Sequence, residues 1–153
     1  MLYKDFVKTP TPLYSIIFMN IMMCFFGFSV SFTRTNIEWA RITLSTLWIT
    51  MLVASTLNQG MLYHNVFTRW FDHLNAFALQ VLYIILYWKT MEWWHIGSGI
   101  VAVTSFLGFQ IFFLEKATLS QYINIVNLWH IWVMIQIFLI PYSLAEGPLF
   151  EAS

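Results

Sequence analysis

The chain has 153 residues, of which 59% are hydrophobic, 20% aromatic and 9% charged. Soluble domains carry about 25% charged residues, so too little polar side chain is present to solvate a globule, and the composition predicts an all-α integral membrane protein. Seven basic residues balance seven acidic ones and form no patch, which excludes nucleic acid as a partner.

In chain order, the opening MLYKDFVKTPTP is polar enough to stand outside the membrane, and Pro10 and Pro12 fall where a missing N–H costs least before a helix. The apolar run that follows is too long for a signal-peptide core and has no small-residue cleavage site behind it, and no Arg-rich transit peptide is present. Residues 1–153 read as a single transmembrane domain, a bundle of about five transmembrane helices with short loops, at roughly 13–33, 39–59, 71–90, 93–114 and 122–142. Trp39, Trp70, Trp88, Trp93, Trp94, Tyr122 and Tyr142 lie at or near the span ends, as interfacial aromatics do, and Pro141 closes the last span. The connections WKTMEW and EKATLSQ are tight. Lys4, Lys8, Arg69 and Lys116 fall on one side and Arg34, Arg41 and Lys89 on the other, a split that sets no orientation. Five spans put the termini on opposite sides, and both tails are expected to be pinned against neighbouring chains.

The helix faces are patterned. Asn20, Cys24, Gly27 and Ser31 recur one turn apart on the first span, Thr46, Thr50, Ala54 and Asn58 on the second, and Ser98, Ala102 and Ser105 on the fourth beside Gly97 and Gly108. Helices in lipid gain nothing hydrophobic by meeting and associate where small residues let backbones approach. These stripes are therefore expected to be packing faces. The lone Cys24 lies mid-span and makes no internal disulfide.

Four histidines are present: His64, His73 and His95 near span ends, and His130 deep in the last span, within NIVNLWHIWVMIQIF and one turn after Asn127. An ionisable residue at that depth marks a candidate site. The inexpensive reading is a neutral imidazole hydrogen-bonded across a helix interface, with Asn75 or Gln80 as partner. Haem b asks for a second deep histidine, and His73 is the nearest available; a haem or quinone anchor is one alternative.

GMLYHNVFTRWFDHLNAF together with VNLWHIW resembles the ceramidase-like membrane hydrolase superfamily, which includes alkaline ceramidases and adiponectin-receptor-like proteins. The resemblance covers roughly residues 55–140 and implies a seven-span zinc-dependent lipid hydrolase. It places zinc ligands at His64 and His130. The family's serine position holds Gly60, its aspartate position Asn75, and the first histidine of its final pair Val126, so Asp72 and His73 are the substitutes for a third ligand. What the resemblance implies here is a descendant that has lost catalysis. Channel or carrier work needs charged or broken helices at mid-bilayer, which the spans lack. The reading that follows is a non-catalytic subunit, without catalytic residues, cofactor or metal, packed against other membrane-protein subunits and structural phospholipids. Its expected setting is the mitochondrial inner membrane, in a respiratory-chain or ATP synthase assembly.

Overall fold

The computed structural model describes residues 1–6, 8, 11–35, 37–61, 66–87 and 91–144. A short α1 (Tyr3–Phe6) precedes α2 (Tyr14–Arg34), and α3 (Glu38–Ser55) runs without a break into a π-helical segment, Thr56–Met61. Next come α4 (Val66–Tyr87), then α5 (Trp93–Gly108), continued by a second π-helical segment, Phe109–Phe113, and finally α6 (Leu119–Leu144). The structure is all-helical among the described residues apart from one bridge, Leu2 opposite Thr118.

Four helices are long and apolar enough to cross a membrane: Tyr14–Arg34, Glu38–Met61, Trp93–Phe113 and Leu119–Leu139. Helix α4, expected as the third of five spans, has the length but falls short of that apolarity. It begins at Val66 rather than 71, and Arg69, Asp72, His73, Asn75 and Gln80 interrupt its hydrophobic residues. Trp39, Trp70, Trp93 and Trp94 are exposed, as interfacial aromatics require, while Trp88 lies outside the described residues.

Helix α2 sits centrally, packed on α3 and α6; α3 carries α4, and α5 leans on α6 through Phe106 stacked on Trp129, ring centroids 4.8 Å apart. The first-span stripe does what its spacing predicts, since Asn20, Cys24, Gly27 and Ser31 are all buried. Gly27 is the point of closest approach: a Cβ there would stand inside the Trp48 ring of α3. That ring is buried and donates its Nε1–H to the Tyr83 hydroxyl of α4 at 3.2 Å. Tyr83 also shares a hydrogen bond with Ser31 of α2 at 2.9 Å, and the next turn repeats the link between Thr35 and Tyr87 at 3.2 Å. One phenol thus ties three helices together.

The other two stripes are only partly turned inward. On α3 the inward face is Ala40, Leu44, Trp48, Met51, Ala54 and Ser55, so Ala54 is buried but Thr46 is exposed and spends its hydroxyl on the Ile42 carbonyl of its own helix. On α5, Ser98 and Ala102 are half-buried, Ser105 is exposed, and a Cβ at Gly97 or Gly108 meets nothing within 4 Å. Spacing identifies a face, but bulky residues beside it, here Leu44 and Trp48, share in deciding what a neighbour covers.

The amino-terminal segment is pinned by its own chain. Tyr3 N–H donates to the Ala117 carbonyl at 2.9 Å, Leu119 N–H to the Met1 carbonyl at 3.1 Å, and the Tyr3 and Tyr122 rings lie 4.4 Å apart. The carboxy-terminal residues 145–153 lie outside the described residues.

Gly27→Ala is expected to destabilise the chain in detergent by about 1–3 kcal/mol, the range for forcing a methyl into a packed site. Gly97→Ala, in open space, is expected to change stability by no more than about 0.5 kcal/mol. Thermal unfolding followed by tryptophan fluorescence compares the two.

Candidate functional site

The π-helical continuation of α3 begins at Thr56, and the wider turn presents consecutive polar side chains, Asn58 and Gln59, toward α4. Both amides donate to Oδ2 of Asp72, at 2.7 Å from Asn58 Nδ2 and 3.1 Å from Gln59 Nε2. Asp72 is 2% exposed, and its Oδ1 has no hydrogen-bond partner. The span expected from residue 71 would place this acid at the membrane surface. Instead α4 starts earlier, so Asp72 lies about two turns in and faces the bundle.

A second pair of polar links lies alongside. Ser55 Oγ donates to Asn20 Oδ1 at 3.0 Å, and Thr50 Oγ1 to Asn75 Oδ1 at 2.6 Å, while Asn75 Nδ2 donates to the Phe71 carbonyl at 2.8 Å. Asn20 falls between Ile16, in one apolar cluster with Tyr122 and Val126, and Met23, in a second with Leu79 and Ile137. His130 falls between Val126 and Ile137 on α6, so it occupies the same level of the bundle as Asn20. It is 1% exposed, and its Nδ1 has no hydrogen-bond partner; neither expected partner serves it. Asn75 is committed to Thr50 and its own helix, and Gln80 lies on an exposed face of α4. The helical phase of α4 turns one amide to α3 and the other outward, away from α6. The side-chain oxygen of Asn127, one turn before His130, is buried without a partner as well.

The residues that the ceramidase-like resemblance would join are distributed as follows. His64 lies outside the described residues. Asp72 is held by amides, His73 is exposed on the next position of α4, and His130 is enclosed on α6. Among the described residues no three His, Cys, Asp or Glu side chains are grouped to hold a metal ion. Gly60, at the family's serine position, is a close-approach residue: its carbonyl accepts the Leu13 N–H at 3.0 Å, and a Cβ would stand against Ile17. His95, expected near water, is buried 4% exposed and stacked on Trp94.

Beside the Asp72 cluster lies a cavity of about 230 Å³, lined by Asn58 and Gln59, by Arg69 and His73 of α4, by Gln110 after α5, and by Tyr3 and Tyr122. Burial raises the Tyr3 phenol above its ordinary pKa, opposed by its hydrogen bond with Tyr122 and by the positive charge of Arg69. Tyr3 is therefore a neutral wall group at physiological pH. Sequence reasoning did not find this cavity, although the adjacent amides in TLNQGM and the four-residue spacing of Arg69 and His73 are its signals.

Asp72→Leu is expected to cost about 2–4 kcal/mol by orphaning two amide donors, and Asp72→Asn less, because one acceptor remains. His130→Leu, which breaks no hydrogen bond in this structure and removes an orphaned nitrogen, is expected to stabilise by about 1 kcal/mol. Denaturant unfolding in micelles gives both signs.

No family model, curated protein or solved structure matches this chain, so its function is carried by its own geometry.

Proposed function

We propose that this chain is a non-catalytic integral subunit of a larger membrane assembly, and that α5 is the helix by which it docks. One observation supports the reading above others. Helix α5 buries only His95, yet it carries Gly97, Val101, Ser105 and Gly108 along one outward line. A helix that met only lipid would have no use for small residues there. Two glycines facing open space leave a shallow groove into which another helix can approach closely. Exposed Trp93, Ile100, Ile111 and Phe112 flank it with apolar surface suited to acyl chains or to a protein neighbour. The setting we propose is an energy-transducing membrane, the mitochondrial inner membrane, with a respiratory-chain or ATP synthase assembly as partner and phospholipids filling the remaining surface.

Purification in a mild detergent, followed by identification of the co-purifying chains, tests this directly. Gly97→Leu is expected to release the chain from its assembly, because the leucine blocks close approach. Its own unfolding free energy is expected to stay within about 0.5 kcal/mol of the parent, since a Cβ there meets none of the described residues. A chain that purifies alone, or an assembly that survives Gly97→Leu and Gly108→Leu together, overturns the reading. So does stoichiometric zinc accompanied by lipid hydrolysis.

A further inference from the structure

The cavity beside Asp72 is lined mainly by residues near helix ends. Arg69 and His73 belong to the first turns of α4, Tyr122 to the first turn of α6, and Gln59 and Gln110 to the π-helical segments that close α3 and α5, with Tyr3 of α1 across the mouth. All of these ends lie at one end of the bundle.

Its chemistry is two-sided. Arg69 makes no ion pair among the described residues and presents a planar fork of donors; His73, one turn on, adds a ring nitrogen on the same face. Arginine forks match the paired oxygens of a phosphate. Gln59 supplies the opposite need, because its Nε2 is committed to Asp72 while its Oε1 is buried without a partner and can accept a hydrogen bond. Phe106 and Leu114 line the apolar side. At about 230 Å³ the space falls below the roughly 300–1,000 Å³ of sites that enclose a drug-sized ligand. It takes a headgroup and leaves the chains outside.

We propose that this cavity binds the phosphodiester headgroup of one phospholipid whose polar end carries a hydrogen-bond donor, as in phosphatidylethanolamine or phosphatidylglycerol. Arg69 and His73 hold the phosphate, Gln59 Oε1 accepts from the ammonium or hydroxyl, and the glycerol rests against Phe106 and Leu114. The apolar wall favours a lipid over free phosphate, which would gain nothing from it. The site shares Ile111 with the apolar flank of the α5 groove, but neither Gly97 nor Ser105 lines it, so different substitutions test the two.

The test uses the full chain, delipidated in maltoside and titrated with single lipids while bound lipid is counted by native mass spectrometry. One phosphatidylethanolamine or phosphatidylglycerol is expected to be retained per chain, about tenfold more tightly than phosphatidylcholine, which lacks the donor. Arg69→Gln is expected to weaken retention about tenfold and Arg69→Lys to restore part of it, because a lysine keeps the charge without the fork. The unfolding midpoint without lipid serves as the folding control, and His73→Phe, at an exposed position, carries the same test should Arg69→Gln fail to fold. Equal retention of diacylglycerol, or retention unchanged in both variants, overturns the proposal. Displacement of the lipid by equimolar glycerophosphate or inorganic phosphate also overturns it, by assigning the site to the free anion.

Discussion

The approach of α2 to α3 at Gly27 is the contact on which the rest of the bundle depends. In hydrocarbon, apolar side chains are as well solvated by lipid as by protein, so burial supplies little of the force that assembles helices. Close backbone packing and hydrogen bonds must supply it. With no side chain at Gly27, the Trp48 ring occupies the space a Cβ would take, and from there its indole N–H reaches Tyr83. Tyr83 in turn reaches Ser31. A single missing Cβ thereby sets the distance between α2 and α3 and the position of α4 on both.

At the opposite end the same role passes to carboxylate and amides. The π-helical turn after α3 places Asn58 and Gln59 side by side, which an α-helical turn would splay by 100° of rotation per residue without the extra width. Their convergence on Asp72 holds α4 to α3 where α4 is least apolar. The charged and amide-rich first half of α4 could not lie in lipid unsupported; Asp72 and Asn75 are answered from α3, and Arg69 and His73 face the cavity. The weak apolarity of α4 and the existence of the cavity are two consequences of one sequence feature.

Helix α5 is the counterexample that gives the bundle its outward face. It is apolar enough to cross a membrane and meets its own chain mainly through α6. Among the described residues its glycines pack against nothing, while at Gly27 and Gly60 the space a Cβ would take is filled. A glycine in a membrane helix therefore states only that close approach is allowed. Whether a neighbour of the same chain uses it depends on the neighbour.

Much of the architecture was legible in the residues themselves. Hydropathy located the long helices to within a few residues, because each needs a fixed length of apolar chain to satisfy its backbone in hydrocarbon. The spacing of Asn20, Cys24, Gly27 and Ser31 located the central packing face, because one helix face repeats every three to four residues whatever lies opposite. The pairings could not be read this way. That Thr46 faces outward, that Asp72 turns inward to two amides, that His130 finds neither Asn75 nor Gln80, and that Arg69 and His73 border a cavity with Tyr3 and Gln110 all depend on rotation and depth relative to other helices. Periodicity along one chain segment is a local property, set by 3.6 residues per turn; which two faces meet is a property of the whole bundle, decided by where Trp48 fits against Gly27 and by how the π-helical segments shift the phase beyond them.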